Sequence, residues 1–181
     1  MTVADVAYGE ERQSPAAEEP ARERSLASRI AGIARFLEKL PRGELAELRR
    51  LRQEFSRVPP EVFWRIVEQY DIQERDEQFW KAVLPLMVKY PHTLGARPGH
   101  VLEQAGVSAA RVERWLRLGR ETAWREADRL LSIAKTNPGL DWVSFAYLLY
   151  YWDEKHRNEF ARDFFVARSR RAALSTTEGG E

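Results

Sequence analysis

The chain has 181 residues, 44% of them apolar and 31% charged, with no cysteine and a formal net charge of +1. Length and apolar content fit a globular core of ordinary size. The missing thiols exclude disulfides and cysteine metal sites, and no apolar run approaches the roughly 18–20 residues of a membrane span. A protein of the reducing cytoplasm, without a signal peptide, is the expectation.

The net charge hides a partition. Residues 1–24 hold six acids and three arginines, and residues 172–181 hold two acids and no base. The 26 basic and 20 acidic residues of 25–171 leave that body at net +6. The division expected is an acidic disordered tail over 1–24, an N-terminal helical half over 25–106, a C-terminal helical bundle over 107–171 and a disordered tail over 172–181.

Helical spacing of apolar residues runs through the body, and long period-2 patterns are missing. Ser25 or Ser28 is placed to cap a helix with Ile30, Ile33, Phe36, Leu37 and Leu40 on one face, ending before Pro41. A second helix follows Gly43, with Leu45, Leu48, Leu51 and Phe55 apolar. Pro59-Pro60 stops it and opens a third, EVFWRIVEQY, with a proline at its first position. QERDEQFWKAVLPLMVKY (73–90) forms a fourth, which Pro85 should kink. PHTLGARPG is a loop. A short helix near Val101–Ala105 ends at Gly106, and Ser108 caps the next. Gly119 divides helices near 108–118 and 120–136. TNPG is a turn, Asp141 caps DWVSFAYLLYYW, and a last helix covers about 155–171. The fold class predicted is all-α, about nine helices in two packed halves, with no sheet.

Catalytic chemistry finds no footing. His92, His100 and His156 have no metal-ligand spacing, and neither a GxSxG elbow nor a glycine-rich phosphate loop occurs. Acid clusters such as Asp71-Glu74-Asp76-Glu77 and Asp153-Glu154 sit at helix ends, where they complement the macrodipole. No enzyme, metal or cofactor is expected. His100, beginning a helix beside Arg97, is the one histidine placed to touch an anion.

The arginines are the remaining signal. RVERWLRLGRETAWREADR (111–129) carries six of them. At 100° per residue from Arg111, and if one axis continues, Arg114, Arg117, Arg125 and Arg129 fall within about 240–360°. Val112, Leu116, Ala123, Ala127, Leu130 and Leu131 fall within about 100–200°, so one face is cationic and another apolar. Arg120 lies off the cationic sector. A second cluster, LRRLRQEF, supplies Arg49, Arg50 and Arg52. Arginine's planar fork suits phosphate. The same pattern fits a solvated helix face whose arginines pair with Glu113, Glu121, Glu126 and Asp128. Trp64, Trp80, Trp142 and Trp152 read as core; Trp115 and Trp124 read as half exposed, more suited to packing than to stacking on bases. A helical protein-interaction adaptor and a helix-turn-helix regulator built on 108–136 both stay open on pattern alone.

Several segments in order, LAELRR (45–50), EVFWRIV (61–67), RPGHVLEQAG (97–106), RVERWLRLGR (111–120), DRLL (128–131), LDW (140–142) and YYWDEKHRNEFARDF (150–164), together resemble one family. It is CasB, the small subunit of the type I-E CRISPR surveillance complex Cascade. The resemblance implies a non-catalytic all-helical subunit, present in two copies beside other Cascade subunits, the CRISPR RNA and the target DNA. It implies a role in stabilising the R-loop and its displaced strand through basic surfaces. Arg49, Arg50, Arg111, Arg117, Arg120 and Arg129 match basic positions of the family pattern; Arg114 and Arg125 rest on helix geometry.

Overall fold

The computed structural model describes the backbone of residues 15–51, 58–133 and 139–178, and side chains within 26–51, 58–133 and 139–174. Its helices are α1 (Pro15–Leu37), α2 (Arg42–Arg50), α3 (Glu61–Gln69), α4 (Glu77–Lys89), α5 (Pro98–Gln104), α6 (Ala109–Leu116), α7 (Arg120–Leu131), α8 (Trp142–Tyr151) and α9 (Glu154–Glu178). A 3-10 turn, Glu74–Asp76, leads into α4. Among the described residues there is no strand; one isolated bridge joins His92 to Leu140. The all-α class and the nine helices are as the periodicity predicts.

Boundaries differ in instructive ways. α1 starts at Pro15, so Ser25 and Ser28 lie inside it rather than capping it. The Ala-, Glu- and Arg-rich stretch before them is made of good helix formers, and helix extends beyond the apolar face. α9 likewise runs past 171 to Glu178. Pro60 is the N-cap of α3 rather than its first residue, and α5 begins earlier than expected, with Pro98 in its first turn. Ser108 stands at the N-cap of α6 without a side-chain cap bond. Asp141 is a working cap, its Oδ1 accepting from the N–H groups of Val143 (3.0 Å) and Ser144 (3.4 Å). Gly106 ends α5 with φ +79°, a conformation that glycine adopts without penalty. Pro85 sits inside α4 with its ring buried. Most of the TNPG turn lies outside the described residues.

α4 and α8 form the centre. Phe79, Trp80, Ala82, Val83, Leu84, Leu86 and Met87 of α4 are all buried, as are Trp142, Phe145, Ala146, Leu148 and Leu149 of α8. A helix apolar on nearly every side is one surrounded by others. α2 and α7 pack on α4, α1 packs on α8, and α6 on α7. α5 lies along α9 with Gly99 at the contact, where a Cβ would stand 2.7 Å from Phe164 N and 2.8 Å from Phe160 O. Buried side chains from Leu26 to Phe164 make one continuous cluster. Each buried aromatic removes roughly 150–250 Å² from water, worth about 4–6 kcal/mol at ~25 cal/mol/Å² as an upper bound. Exposed ion pairs, at about 0–1 kcal/mol, are minor beside that.

Candidate nucleic-acid interface

Burial of the apolar faces of α6 and α7 decides where their arginines stand. Val112 and Trp115 are buried on α6, and Ala123, Ala127, Leu130 and Leu131 on α7. Arg111, Arg114, Arg117, Arg120, Arg125 and Arg129 are all exposed. They do not share one axis. α6 ends at Leu116, Arg117 is its C-cap, and α7 restarts at Arg120 from the N-cap Gly119. The single cationic stripe drawn by continuing one helix is therefore two shorter stripes on two packed helices.

The six guanidinium groups differ in what holds them. Arg111 and Arg114 make no side-chain ion pair or hydrogen bond among the described residues. Arg117 lies 3.9 Å from Glu113 and is 81% exposed. Arg125 lies 3.7 Å from Glu121, and Arg129 donates to both oxygens of Glu126 at 3.1 Å. Arg120 sits over the Trp124 ring, 5.4 Å from its centroid. The pairing expected of a solvated face is thus real for three of the six. Such exposed pairs are worth about 0–1 kcal/mol, less than a bidentate phosphate contact, so they do not lock the arginines away.

Four of the six tryptophans are placed as expected, Trp80, Trp142 and Trp152 in the core and Trp124 half-buried, whereas Trp115 and Trp64 are not. Trp115 is core: it is 3% exposed, donates to Ala123 O at 3.1 Å and packs against Phe145, Trp152 and Phe160. Trp124 is half-buried, donates to Leu149 O at 2.6 Å and meets Phe79 edge-on. Trp64, expected in the core, is 41% exposed. Its place on α3 puts Phe63 inward and the next residue outward.

Arg49 and Arg50 close α2 in the open, with no ion pair among the described residues. Arg52 lies outside the described residues. α2 packs on α3 and α4, whereas α6 packs on α7 and α9, so the two arginine clusters occupy different helices of the bundle. Arg97 and His100 belong to a third place, the start of α5, where Arg97 pairs with Asp163 of α9 at 3.2 Å.

That third place is a cleft between α5, α8 and α9 with a volume of about 710 Å³. α5 lends it Arg97 and His100, α8 lends Tyr147, and α9 lends Lys155, Arg162 and Arg170. Sequence reading missed the three α9 cations; their seven- and eight-residue spacing is visible in the chain, but the wall that α5 builds opposite them is not. At the mouth, His156 is mostly buried, its ring 4.9 Å from Tyr151 and nearly parallel to it. Its Nδ1 lies 2.7 Å from Asp153 Oδ1. Burial disfavours the Asp153 carboxylate, but hydrogen bonds from the His156 backbone and ring hold its pKa below the ordinary 3.8. His92 is likewise half-buried, its Nδ1 accepting from Trp142 N at 3.2 Å. Among the described residues no group of His, Asp or Glu is arranged to hold a metal, and no helix is long and apolar enough to cross a membrane.

A family model for CRISPR-associated protein Cse2 matches residues 44–165. Among solved structures, a chain in a crystal structure of E. coli Cascade bound to a PAM-containing dsDNA target with a 32-nt spacer shares the fold. Its TM-score is 0.62 and its identity 23%, covering 76% of this chain and 97% of that one. No curated protein matches. The segments from LAELRR to YYWDEKHRNEFARDF that carry the sequence resemblance lie within or at the edge of the matched range, and the chain belongs to the CRISPR-associated Cse2 family, that of the small Cascade subunit.

Proposed function

We propose that, within a type I-E CRISPR surveillance complex, this chain is a non-catalytic cytoplasmic scaffold that grips nucleic-acid backbone and stabilises the R-loop. Its partners are the CRISPR RNA, the target DNA, other Cascade subunits and a second copy of itself. The observation that carries the reading is the α6–α7 surface: six exposed arginines on two helices anchored by buried apolar faces, with Arg111 and Arg114 unpaired among the described residues. Arg49 and Arg50 extend the basic character to α2.

The physics agrees with a helper's role. Guide pairing reads the sequence, so this subunit needs phosphate contacts and little base readout. R-loop formation is a nearly balanced exchange of one duplex for another, and a few backbone contacts tip it. Because the packed helices already fix the backbone of these arginines, binding restricts side-chain rotamers alone.

The test is the variant Arg111→Ala/Arg114→Ala/Arg117→Ala in the assembled complex. Target binding should weaken roughly tenfold at physiological salt, and the salt slope should fall by about 3 for duplex-like contacts, with thermal unfolding of the subunit unchanged. Unchanged R-loop lifetime in that variant would sink the assignment of these residues. An adaptor whose arginines served only acidic protein partners would show no salt-dependent nucleic-acid binding at all.

A further inference from the structure

We propose that residues 1–14, the acidic start of this chain, dock in the basic cleft between α5, α8 and α9 and shield it from polyanions while the subunit is outside the complex. The docking stands by itself; the shielding rests on the reading that this chain binds nucleic acid.

Charge comes first. Lys155, Arg162 and Arg170 are exposed, line the cleft and make no ion pair among the described residues. Of the two carboxylates in the lining, Asp163 is held by Arg97 at 3.2 Å, leaving Glu159 as the opposing charge there. The cleft keeps a positive excess, and its concave shape focuses that field. Residues 1–14, MTVADVAYGEERQS, carry Asp5, Glu10 and Glu11 ahead of one arginine, Arg12. They precede the range 44–165 that the Cse2 family model matches, so the shared fold does not account for them.

Apolar chemistry separates this surface from the other arginine clusters. The lining adds Val143, Leu148, Phe160 and Val166, the last left 38% exposed. An open apolar side chain among cations suits an occupant that brings apolar groups together with acids. Residues 1–14 bring Val3, Val6 and Tyr8 interleaved with theirs. At about 710 Å³ the cleft is in the size range of pockets that bury a whole ligand. On α6 and α7, by contrast, Arg117, Arg125 and Arg129 already face Glu113, Glu121 and Glu126.

The segment is long enough to arrive. α1 begins at Pro15 and its buried side chains begin at Leu26, about 16 Å further along the axis at 1.5 Å per residue. α1 packs on α8, and α8 lends the cleft Val143, Ser144, Tyr147 and Leu148. A chain leaving Pro15 therefore has to return along that stretch of α1 and pass around one helix, about 10–12 Å across. Fourteen extended residues span up to about 46–50 Å, well beyond the two legs together.

The experiment uses the full chain with p-benzoylphenylalanine in place of Tyr8, irradiated and mapped by mass spectrometry. Crosslinks should fall on α8 and α9, and a mixture of isotope-labelled and unlabelled chains should show them within one molecule. Lys155→Glu/Arg162→Glu/Arg170→Glu should abolish them, and adding Asp5→Lys/Glu10→Lys/Glu11→Lys should restore them. That restoration also shows that the reversed chain still folds. Shielding is read by fluorescence anisotropy with fluorescein-labelled oligo-dT of about 12 nucleotides. Asp5→Asn/Glu10→Gln/Glu11→Gln should tighten binding roughly tenfold, as expected of a site closed about nine-tenths of the time. Crosslinks on α6 or α7, crosslinks between two molecules, or crosslinks indifferent to the charge reversal overturn the docking. Equal oligo-dT affinity with and without the three acids overturns the shielding. Failure of the broader reading looks different: neither form would bind oligo-dT, while the crosslinks to α8 and α9 would remain.

Discussion

At the scale of single residues, what matters is which groups are already engaged. Arg111 and Arg114 have no partner among the described residues, whereas Arg129 already donates to Glu126 and Arg120 lies over Trp124. Four residues that read alike in the sequence are therefore not equivalent. Tyr150 illustrates the opposite case, a polar group engaged in the interior. Its hydroxyl donates to Asp76 Oδ1 at 2.9 Å, tying α8 to the turn before α4. Burial, with the hydrogen bond and charge of Asp76, raises its pKa above the ordinary 10.0. A raised folded-state pKa means that the stabilisation is fully present below pH 10 and fades as pH climbs through the folded value. Tyr150→Phe should cost about 1–2 kcal/mol at neutral pH and flatten the alkaline loss of stability; thermal unfolding between neutral pH and about 11 reads both. An alkaline limb as steep in the variant as in the parent would refute the role of this hydroxyl.

At the scale of elements, the break between α6 and α7 and the contact at Gly99 make the decisive geometry. α6 stops at Leu116 and α7 restarts after its N-cap Gly119, so arginines that a single helical wheel collects on one sector are shared between two helices. The wheel fails there because it assumes an unbroken axis. It succeeds within each helix, where Val112, or Ala123, Ala127 and Leu130, are buried as their spacing requires. Gly99 brings α5 onto α9 closely enough that a Cβ would meet backbone at 2.7 and 2.8 Å. On an exposed helix, glycine to alanine gains about 1 kcal/mol. Here the clash is with backbone that cannot yield cheaply, so Gly99→Ala should lose about 1–3 kcal/mol, a fall in Tm of roughly 3–10 °C. A Tm that holds or rises would show that α5 is free to shift.

At the scale of the whole molecule, α1 on α8 and α5 on α9 join segments on either side of position 106, and the buried side chains form one cluster. Unfolding should therefore be a single transition, with tryptophan fluorescence and far-UV circular dichroism coincident in urea. Two separated midpoints would mean that the segments before and after 106 are stable alone. The sequence by itself determined the helices, the absence of cysteine chemistry, the basic body and the family, because periodicity, composition and ordered motifs are properties of the chain read in one dimension. It also located the arginines of α2, α6 and α7. Tertiary structure alone decided that Trp115 is core and Trp64 is not. It decided which arginines find carboxylates, and that Lys155, Arg162 and Arg170 face a wall made by residues far away in sequence. Those outcomes depend on which face of one helix meets which neighbour, and pairwise contact between distant segments leaves no periodic trace in either of them.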